Sequence, residues 1–290
     1  MGRRYDTISF LSDLGTGSEH VGVIKAVLRD LAPHAVVIDL THDIPAFDAR
    51  AGGLSLARSI GYLPEGVVLG VVDPGTGTDR RGVAIEVASG GGVLVGPDNG
   101  LLAPAVAMAG GAERAVVLSA EGFHLTGPGS TFAGRDVFAP VAAHLCNGVD
   151  LAEFGEMVDA EVLMPGIVPL PRDDGDGLVC EVVWVDRFGN CQLNVGPDEI
   201  AGLGTRVRVS VGDANDPTVR VAARAGTFAD VTVGAVGLVI DAAGMMALVL
   251  DRRSAADELG VATGDQVTLS PLGDEQTSVG VTTPITLRRP

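Results

Sequence analysis

The sequence predicts an α/β N-terminal domain with a mostly parallel sheet, followed by an all-β C-terminal barrel. Three observations carry this. Strand and helix signals alternate through the first half, which implies a sheet covered by helices on both faces. Near residue 170 the stretch "MPGIVPLPRDDGDG" is rich in Pro and Asp and has no periodicity. After it come only short apolar runs separated by Gly, Asp and Asn, the pattern of a small antiparallel barrel or sandwich. The boundaries read as an α/β domain over 1–168, a linker over 169–176 and a barrel domain over 177–290.

Taken in order, "YDTISFL" is a strand and "SDLGTG" a turn, and Ser18 is expected to cap a helix running to about Leu31. "AVVIDL" is the second strand, "FDARAGGLSLARSIGYL" a helix and "GVVLGVV" the third strand. "GVAIEVA" and "GGVLVG", split by Ser89-Gly90-Gly91, form a hairpin. "NGLLAPAVAMAG" is a helix, "RAVVLS" a strand and "RDVFAPVAAHLC" a helix. In the second domain "LVCEVVWVD", "CQLNV", "RVRVSVG", "TVRVAAR", "VGLVID", "MMALVLD" and "QVTLSP" read as strands.

Composition narrows the function classes. Of 290 residues 46% are apolar, enough for a sizeable core, and the aromatic share of 4% leaves Ala, Val, Leu and Gly to fill it. Net charge is −17 and Lys25 is the one lysine. Such a surface repels phosphate backbones and anionic lipid, which argues against nucleic-acid and membrane partners and is compatible with a cationic small molecule. GC-rich coding or high salt produces the same balance. No apolar run reaches membrane-spanning length, and "MGRRYDTISF" lacks a signal peptide's apolar stretch, so a cytoplasmic location is expected. Cys146, Cys180 and Cys191 have no CxxC spacing and are expected as reduced core thiols.

Ligands of open parallel sheets bind beyond the carboxyl ends of the strands. Three strand ends here carry acidic residues: Asp13 in "FLSDLG", Thr41-His42-Asp43 in "IDLTHDIP", and Asp73 in "VVDPG". Converging carboxylates suit a metal, a ribose diol or a cation, although Asp also favours such turns by bonding its own backbone. "DLGTGSE" lacks both the GxGxxG spacing and the P-loop lysine, and its acidic flanks suit hydroxyls or an ammonium group better than phosphate. The histidines are scattered without metal spacing, so no metal is expected. There is no GxSxG, and any Ser-His-Asp set would need arbitrary long-range pairing. "VDRFGNCQLN" reads as a hairpin turn with Gly189 at positive φ.

Six segments occur in one order: "SDLG", "THDIP", "LPEGVVLGVVDPGTGTDRR", "VGPDNGLL", "STFAGRDVFAPVAAHL" and "VDRFGNCQLN". Together they resemble the S-adenosyl-L-methionine (SAM) hydroxide adenosyltransferase family, SAM hydrolases related to the fluorinase and chlorinase. The resemblance implies an α/β domain with a C-terminal barrel, and a homotrimer holding SAM between one subunit's first domain and its neighbour's second. It implies hydrolysis of SAM to adenosine and methionine, with SAM as substrate and no cofactor. Asp13 would bind the ribose diol, Phe47 would stack on adenine, and Asp73 with Arg80 would activate water. Asp186, Phe188, Asn190, Arg253 and Ala255 would line the adenine and methionine region from the neighbouring subunit.

The chemistry fits the residues. A sulfonium is already a good leaving group, so the task is to hold a water in line behind the 5′ carbon and raise its nucleophilicity. Asp73 can accept a hydrogen bond from that water, and the charge of Arg80 favours the ionised carboxylate. Three positions depart from the family pattern. Ala133 stands at the family's His in "TFxGRD". Ser18 stands where an acidic residue often meets the substrate's ammonium, leaving Glu19 as a substitute. "IDAAGMMALVLD" matches the carboxylate-binding strand poorly. Two competing readings follow: halogenation, with Thr76 resembling a halide-contacting Thr but Asp73 repelling an anion, and non-catalytic binding of SAM or adenosine, with Ala133 as the lesion. His124, nine residues upstream of Ala133, is not expected to fit in its place.

Overall fold

The computed structural model describes residues 2–212 and 217–272, so the last part of the expected barrel domain lies outside the described residues. The chain divides into two compact units, Met1–Val168 and Pro169–Pro290.

The first unit contains β1 (Thr7–Ser12), α1 (His20–Leu31), β2 (Val36–Thr41), α2 (Ala49–Ser59), β3 (Gly66–Val71), β4 (Gly82–Val87), β5 (Gly92–Pro97), α3 (Ala103–Met108), β6 (Ala112–Leu118), α4 (Ala139–Cys146) and β7 (Gly155–Val158). The strands lie in the order β2-β1-β3-β5-β4-β6-β7. β2, β1, β3 and β5 pair in parallel, and only β4 and β7 run against the common direction. The expected hairpin is β4 with β5, with Gly82 opposite Pro97 and Val87 opposite Gly92.

All six residues of β3 are buried because helices cover both faces. Val67, Leu69 and Val71 join Ile24 and Leu28 of α1 and Val141 and Leu145 of α4. Val68 and Val72 join Leu56 of α2 and Val106 of α3. Each such side chain contributes about 1.5–3 kcal/mol by leaving water. The chain that leaves β3 therefore starts from a fixed point.

Two local expectations change. Ser18 does not cap α1. The helix starts one residue later, Glu19 is already right-handed helical at φ −71° and ψ −14°, and the extended backbone of a capping residue is absent. Ser18 Oγ instead lies 2.9 Å from His20 Nδ1. The run "RDVFAPVAAHLC" opens with a π-helical turn, Gly134–Phe138, before α4 begins. Such turns are rare and concentrate at functional sites.

The second unit contains β8 (Arg172–Asp173), β9 (Leu178–Val185), β10 (Cys191–Leu193), β11 (Arg206–Val211), β12 (Thr218–Arg224), β13 (Val236–Ile240), β14 (Met246–Val249), α5 (Ala255–Leu259) and β15 (Gln266–Pro271). The order β10-β14-β13-β12-β11-β15-β9 closes through β9 and β10, giving a seven-stranded barrel with β8 added on β9. One pair, β12 with β13, is parallel where the sequence suggested antiparallel strands throughout. The connection between them includes a short 3-10 turn, Phe228–Asp230, secured by a capping box between Thr227 and Asp230. Val182, Leu193, Val209, Leu238, Leu248 and Leu269 fill the interior. Cys180 and Cys191 sit there unpaired, and burial pushes their thiols up to about 12. Among the described residues no helix is long and apolar enough to cross a membrane.

Candidate active site

Because β1, β2 and β3 are parallel, the turns that follow them leave from one edge of the sheet. Asp13 follows β1, and its Oδ2 accepts the Phe47 N–H at 2.9 Å. Phe47 sits in the left-handed region at φ 69° and is 73% exposed. A non-glycine residue there is strained, and such strain clusters at ligand sites. Two residues that the resemblance assigned to ribose and adenine are thus in contact. Asp43 is exposed, and its N–H meets its own turn through Thr41 Oγ1 at 3.2 Å.

Beside them lies an arrangement that sequence reasoning dismissed. Ser12 Oγ is 2.8 Å from His42 Nδ1, and His42 Nε2 is 3.2 Å from Asp39 Oδ1. Ser12 has no exposed surface, which excludes it as a nucleophile. The line ties the end of β1 to the end of β2. It was not legible because Ser12 and His42 lie 30 positions apart.

Asp73 stands two residues beyond β3. Its Oδ2 accepts from Thr76 Oγ1 at 2.7 Å and from Arg80 Nη2. The Asp73 side chain is 5% exposed and that of Arg80 14%. Asp73 Oδ1 is buried and has no hydrogen-bond partner among the described residues. Arg80 Nη1 donates to the Arg81 carbonyl at 2.6 Å, and its guanidinium lies 5.3 Å from the centre of the Phe138 ring. The guanidinium is therefore oriented by a carboxylate, a carbonyl and a ring face. The next arginine, Arg81, pairs with Asp98 after β5, a contact the sequence did not reveal.

Arg80 and Ala133 line one cavity of about 580 Å³, together with Asp136, Phe138 and His124. Asp73, Arg80 and Ala133 are thus linked, the first two by an ion pair and the last two by a shared wall. Asp136 takes both Nε and Nη2 of Arg135, at 2.6 and 2.8 Å. Ser18, beside His20, is connected to the same region, since the His20 ring meets the Phe132 ring at 4.9 Å.

In the second unit Asp186, Phe188, Asn190 and Arg253 line a single concavity of about 850 Å³ with Phe228 and Arg252, two residues not singled out from sequence. The turn follows the expected hairpin, with Gly189 at φ 80°. Asp186 accepts from the N–H groups of Phe188 and Asn190 at 2.8 and 2.9 Å and from Asn190 Nδ2 at 2.8 Å. Its carboxylate shapes the turn, while Phe188 is 75% exposed. A side chain at Gly189 would collide with Ser254, the N-cap of α5. Ala255 departs from expectation. It is fully buried in the barrel core, because the first residue of α5 turns its methyl inward, so its side chain offers the concavity nothing.

A family model described as the SAM hydroxide adenosyltransferase N-terminal domain matches residues 8–155, and one for the C-terminal domain matches residues 180–268. An (R)-S-adenosyl-L-methionine hydrolase of Salinispora tropica is 43% identical over 260 residues, covering 90% of this chain and 96% of that protein. A fluorinase of an Actinoplanes species is 26% identical over 228 residues, 70% of this chain and 76% of the fluorinase. The crystal structure of an uncharacterized conserved protein from Thermotoga maritima superposes with a TM-score of 0.82 at 32% identity, covering 91% of this chain and 99% of that one. An Asp–Arg pair at the end of a buried strand, a barrel presenting a turn around Phe188, and both domain models matched in sequence order lead to one assignment: the chain belongs to the SAM hydroxide adenosyltransferase family.

Proposed function

We propose that this protein hydrolyses S-adenosyl-L-methionine to adenosine and L-methionine by in-line attack of water on the 5′ carbon. The observation that carries the reading is the state of Asp73. One oxygen is held by Arg80 and Thr76, and the other is a buried acceptor with no partner among the described residues. A carboxylate anchored on one side with a lone pair open on the other can orient a water and accept its hydrogen bond. Holding nucleophile and carbon in near-attack geometry supplies about 7–11 kcal/mol. The sulfonium needs no acid to leave, so the reading calls for no cofactor. Asp13 and Phe47 take the ribose and adenine, Ser18 lies toward the ammonium end, and the net charge of −17 favours a cationic substrate.

Halogenation is the weaker reading. Thr76, the one feature in its favour, already donates to Asp73, and the carboxylate's charge opposes an incoming anion. Non-catalytic binding is also weaker, since a binding protein has no use for an oriented Asp–Arg pair.

Chromatography of SAM incubated with the protein is expected to show adenosine and methionine accumulating slowly, and no 5′-chloro-5′-deoxyadenosine in concentrated chloride. Unchanged SAM would leave only the binding role. Alanine at position 133 can neither accept nor donate through its side chain. Ala133→His is therefore expected to raise turnover by at least about tenfold with little change in affinity, a modest share of the 10²–10⁴ that acid–base assistance typically provides. Equal turnover would mean that position 133 is not a missing member of the set.

We also infer a homotrimer acting in the cytoplasm, the assembly being the one that the family resemblance supports. Sedimentation at micromolar concentration should give a trimer. A monomer with full activity contradicts it.

A further inference from the structure

We propose that Asp98 and Asn99, in the turn that follows β5, are positioning residues for the Asp73–Arg80 pair. The proposal rests on the hydrolase reading above. It starts from the sheet order. β5 lies between β3 and β4, parallel to the first and antiparallel to the second. The chain that leaves β3 at Asp73 and enters β4 after Arg81 must therefore cross the carboxyl end of β5. The "PDNG" turn, residues 97–100, sits where that crossing occurs.

Consecutive residues of this turn hold the two carbonyls on which the pair depends. Asn99 Nδ2 donates to the Val72 carbonyl at 2.9 Å, and Asn99 Oδ1 accepts the Leu101 N–H at 3.1 Å, so both ends of the amide are assigned. Val72 immediately precedes Asp73. The Val71 carbonyl accepts the Asp13 N–H at 3.3 Å. The backbone that presents Asp73 is thus held from the end of β1 on one side and from the end of β5 on the other. The Asp98 N–H donates to the Arg81 carbonyl at 2.9 Å, the same carbonyl that accepts Arg80 Nη1 at 2.6 Å. The Asp98 side chain, 4% exposed, takes Arg81 Nη2 through Oδ2. Arg81 is therefore fixed through main chain and side chain, and its carbonyl is a fixed acceptor for the Arg80 guanidinium. Asp98 and Asn99 act through these neighbouring carbonyls and not on the reacting atoms.

Asp98 also has a structural task. Its Oδ1 accepts the Met164 N–H at 2.8 Å, and Arg81 Nη2 reaches the Val162 carbonyl at 3.0 Å, which fastens residues 162–164 to the turn. Loss of that task lowers stability and leaves the rate of the folded protein alone. Positioning acts on the rate itself, because near-attack geometry is steep and a misplacement of about 1 Å costs about 10²-fold.

The test uses the full-length protein with SAM, each variant being assayed well below its unfolding temperature. Asn99→Asp keeps the shape and the Leu101 bond and removes the donor to Val72, whereas Asn99→Leu removes both bonds without adding charge. Both are expected to lower kcat by about 10-fold to 10²-fold, with KM changed less than about threefold. Arg81→Ala is expected to lower kcat by about tenfold, and Arg81→Lys, which keeps a cation for Asp98, to recover most of that loss. The Arg81 side chain is 38% exposed, so these variants report even where a change at the buried Asp98 prevents folding. Asp98→Asn should cost about tenfold in the parent but less than about twofold in an Arg80→Lys background. The single nitrogen of lysine cannot span Asp73 and the Arg81 carbonyl as the planar guanidinium does. Parental kcat in folded Asn99→Asp and Arg81→Ala would overturn the proposal, as would a loss confined to KM. An equal loss from Asp98→Asn in both backgrounds would also overturn it, since Asp98 would then act apart from Arg80. A parent protein that forms no adenosine would instead refute the hydrolase reading.

Discussion

Asp73→Asn is expected to abolish hydrolysis while leaving SAM affinity within about tenfold, or about 1.4 kcal/mol. The side chains are nearly isosteric, so the difference is one of charge and hydrogen-bond polarity. In the parent, Oδ2 accepts from both Arg80 and Thr76, and Oδ1 is the open acceptor. Asparagine has one acceptor oxygen. If that oxygen faces Arg80, an N–H₂ group faces the water and offers it a donor where an acceptor is needed. If the amide flips, its N–H₂ opposes the guanidinium. Neither rotamer reproduces the parent. Removing one member of a buried ion pair also costs about 3–5 kcal/mol in general, and the remaining amide oxygen should keep the loss near the low end. Activity should therefore be measured well below the variant's unfolding temperature, beside calorimetric binding of SAM. Parental turnover in the variant would remove Asp73 from the mechanism, and loss of binding would make it a substrate contact instead.

Phe138→Ala is expected to destabilise the protein by about 3–5 kcal/mol, the usual cost of emptying a fully buried phenylalanine site. Phe138 has no exposed surface and belongs to the core that packs α1 and α4 on the sheet. Its ring also supports the Arg80 guanidinium at 5.3 Å and fills the space above Gly82, where an added methyl would come within 2.9 Å. A loss of that size is a large fraction of the 5–15 kcal/mol that holds a typical domain folded. Urea titration should show the midpoint fall with an unchanged slope. Because Arg80 loses its platform, kcat should fall even where the variant is fully folded, while Phe138→Leu should recover much of the stability and less of the rate. A stability change under 1 kcal/mol would show that the site collapses onto the cavity without penalty.

Much of this protein was legible in its sequence, and the division has a physical basis. Strand and helix identity follows from residue-to-residue periodicity, so β1 to β6 and the seven barrel strands could be read from alternating or continuous apolar runs. The Asp73–Arg80 pair was legible because a seven-residue turn brings its ends together without help from the rest of the chain. The turn at Asp186 and Gly189 was legible for the same reason. What the sequence could not determine depends on contacts between distant segments. The parallel pairing of β12 with β13 follows from the path of a connection rather than from the composition of either strand. The Ser12–His42–Asp39 line exists because β1 and β2 are neighbours. The inward turn of Ala255 was decided by how α5 seats on the barrel. The place of His124 is a further case. Residues 125–130 hold no helix or strand whose period could signal where the imidazole ends up, and only the packing of Phe123 and the bond from Leu125 to Asp136 bring it to the cavity of Ala133. Local turns are set by the φ and ψ preferences of a few adjacent residues, whereas a shared cavity is set by the sum of packing across the whole fold.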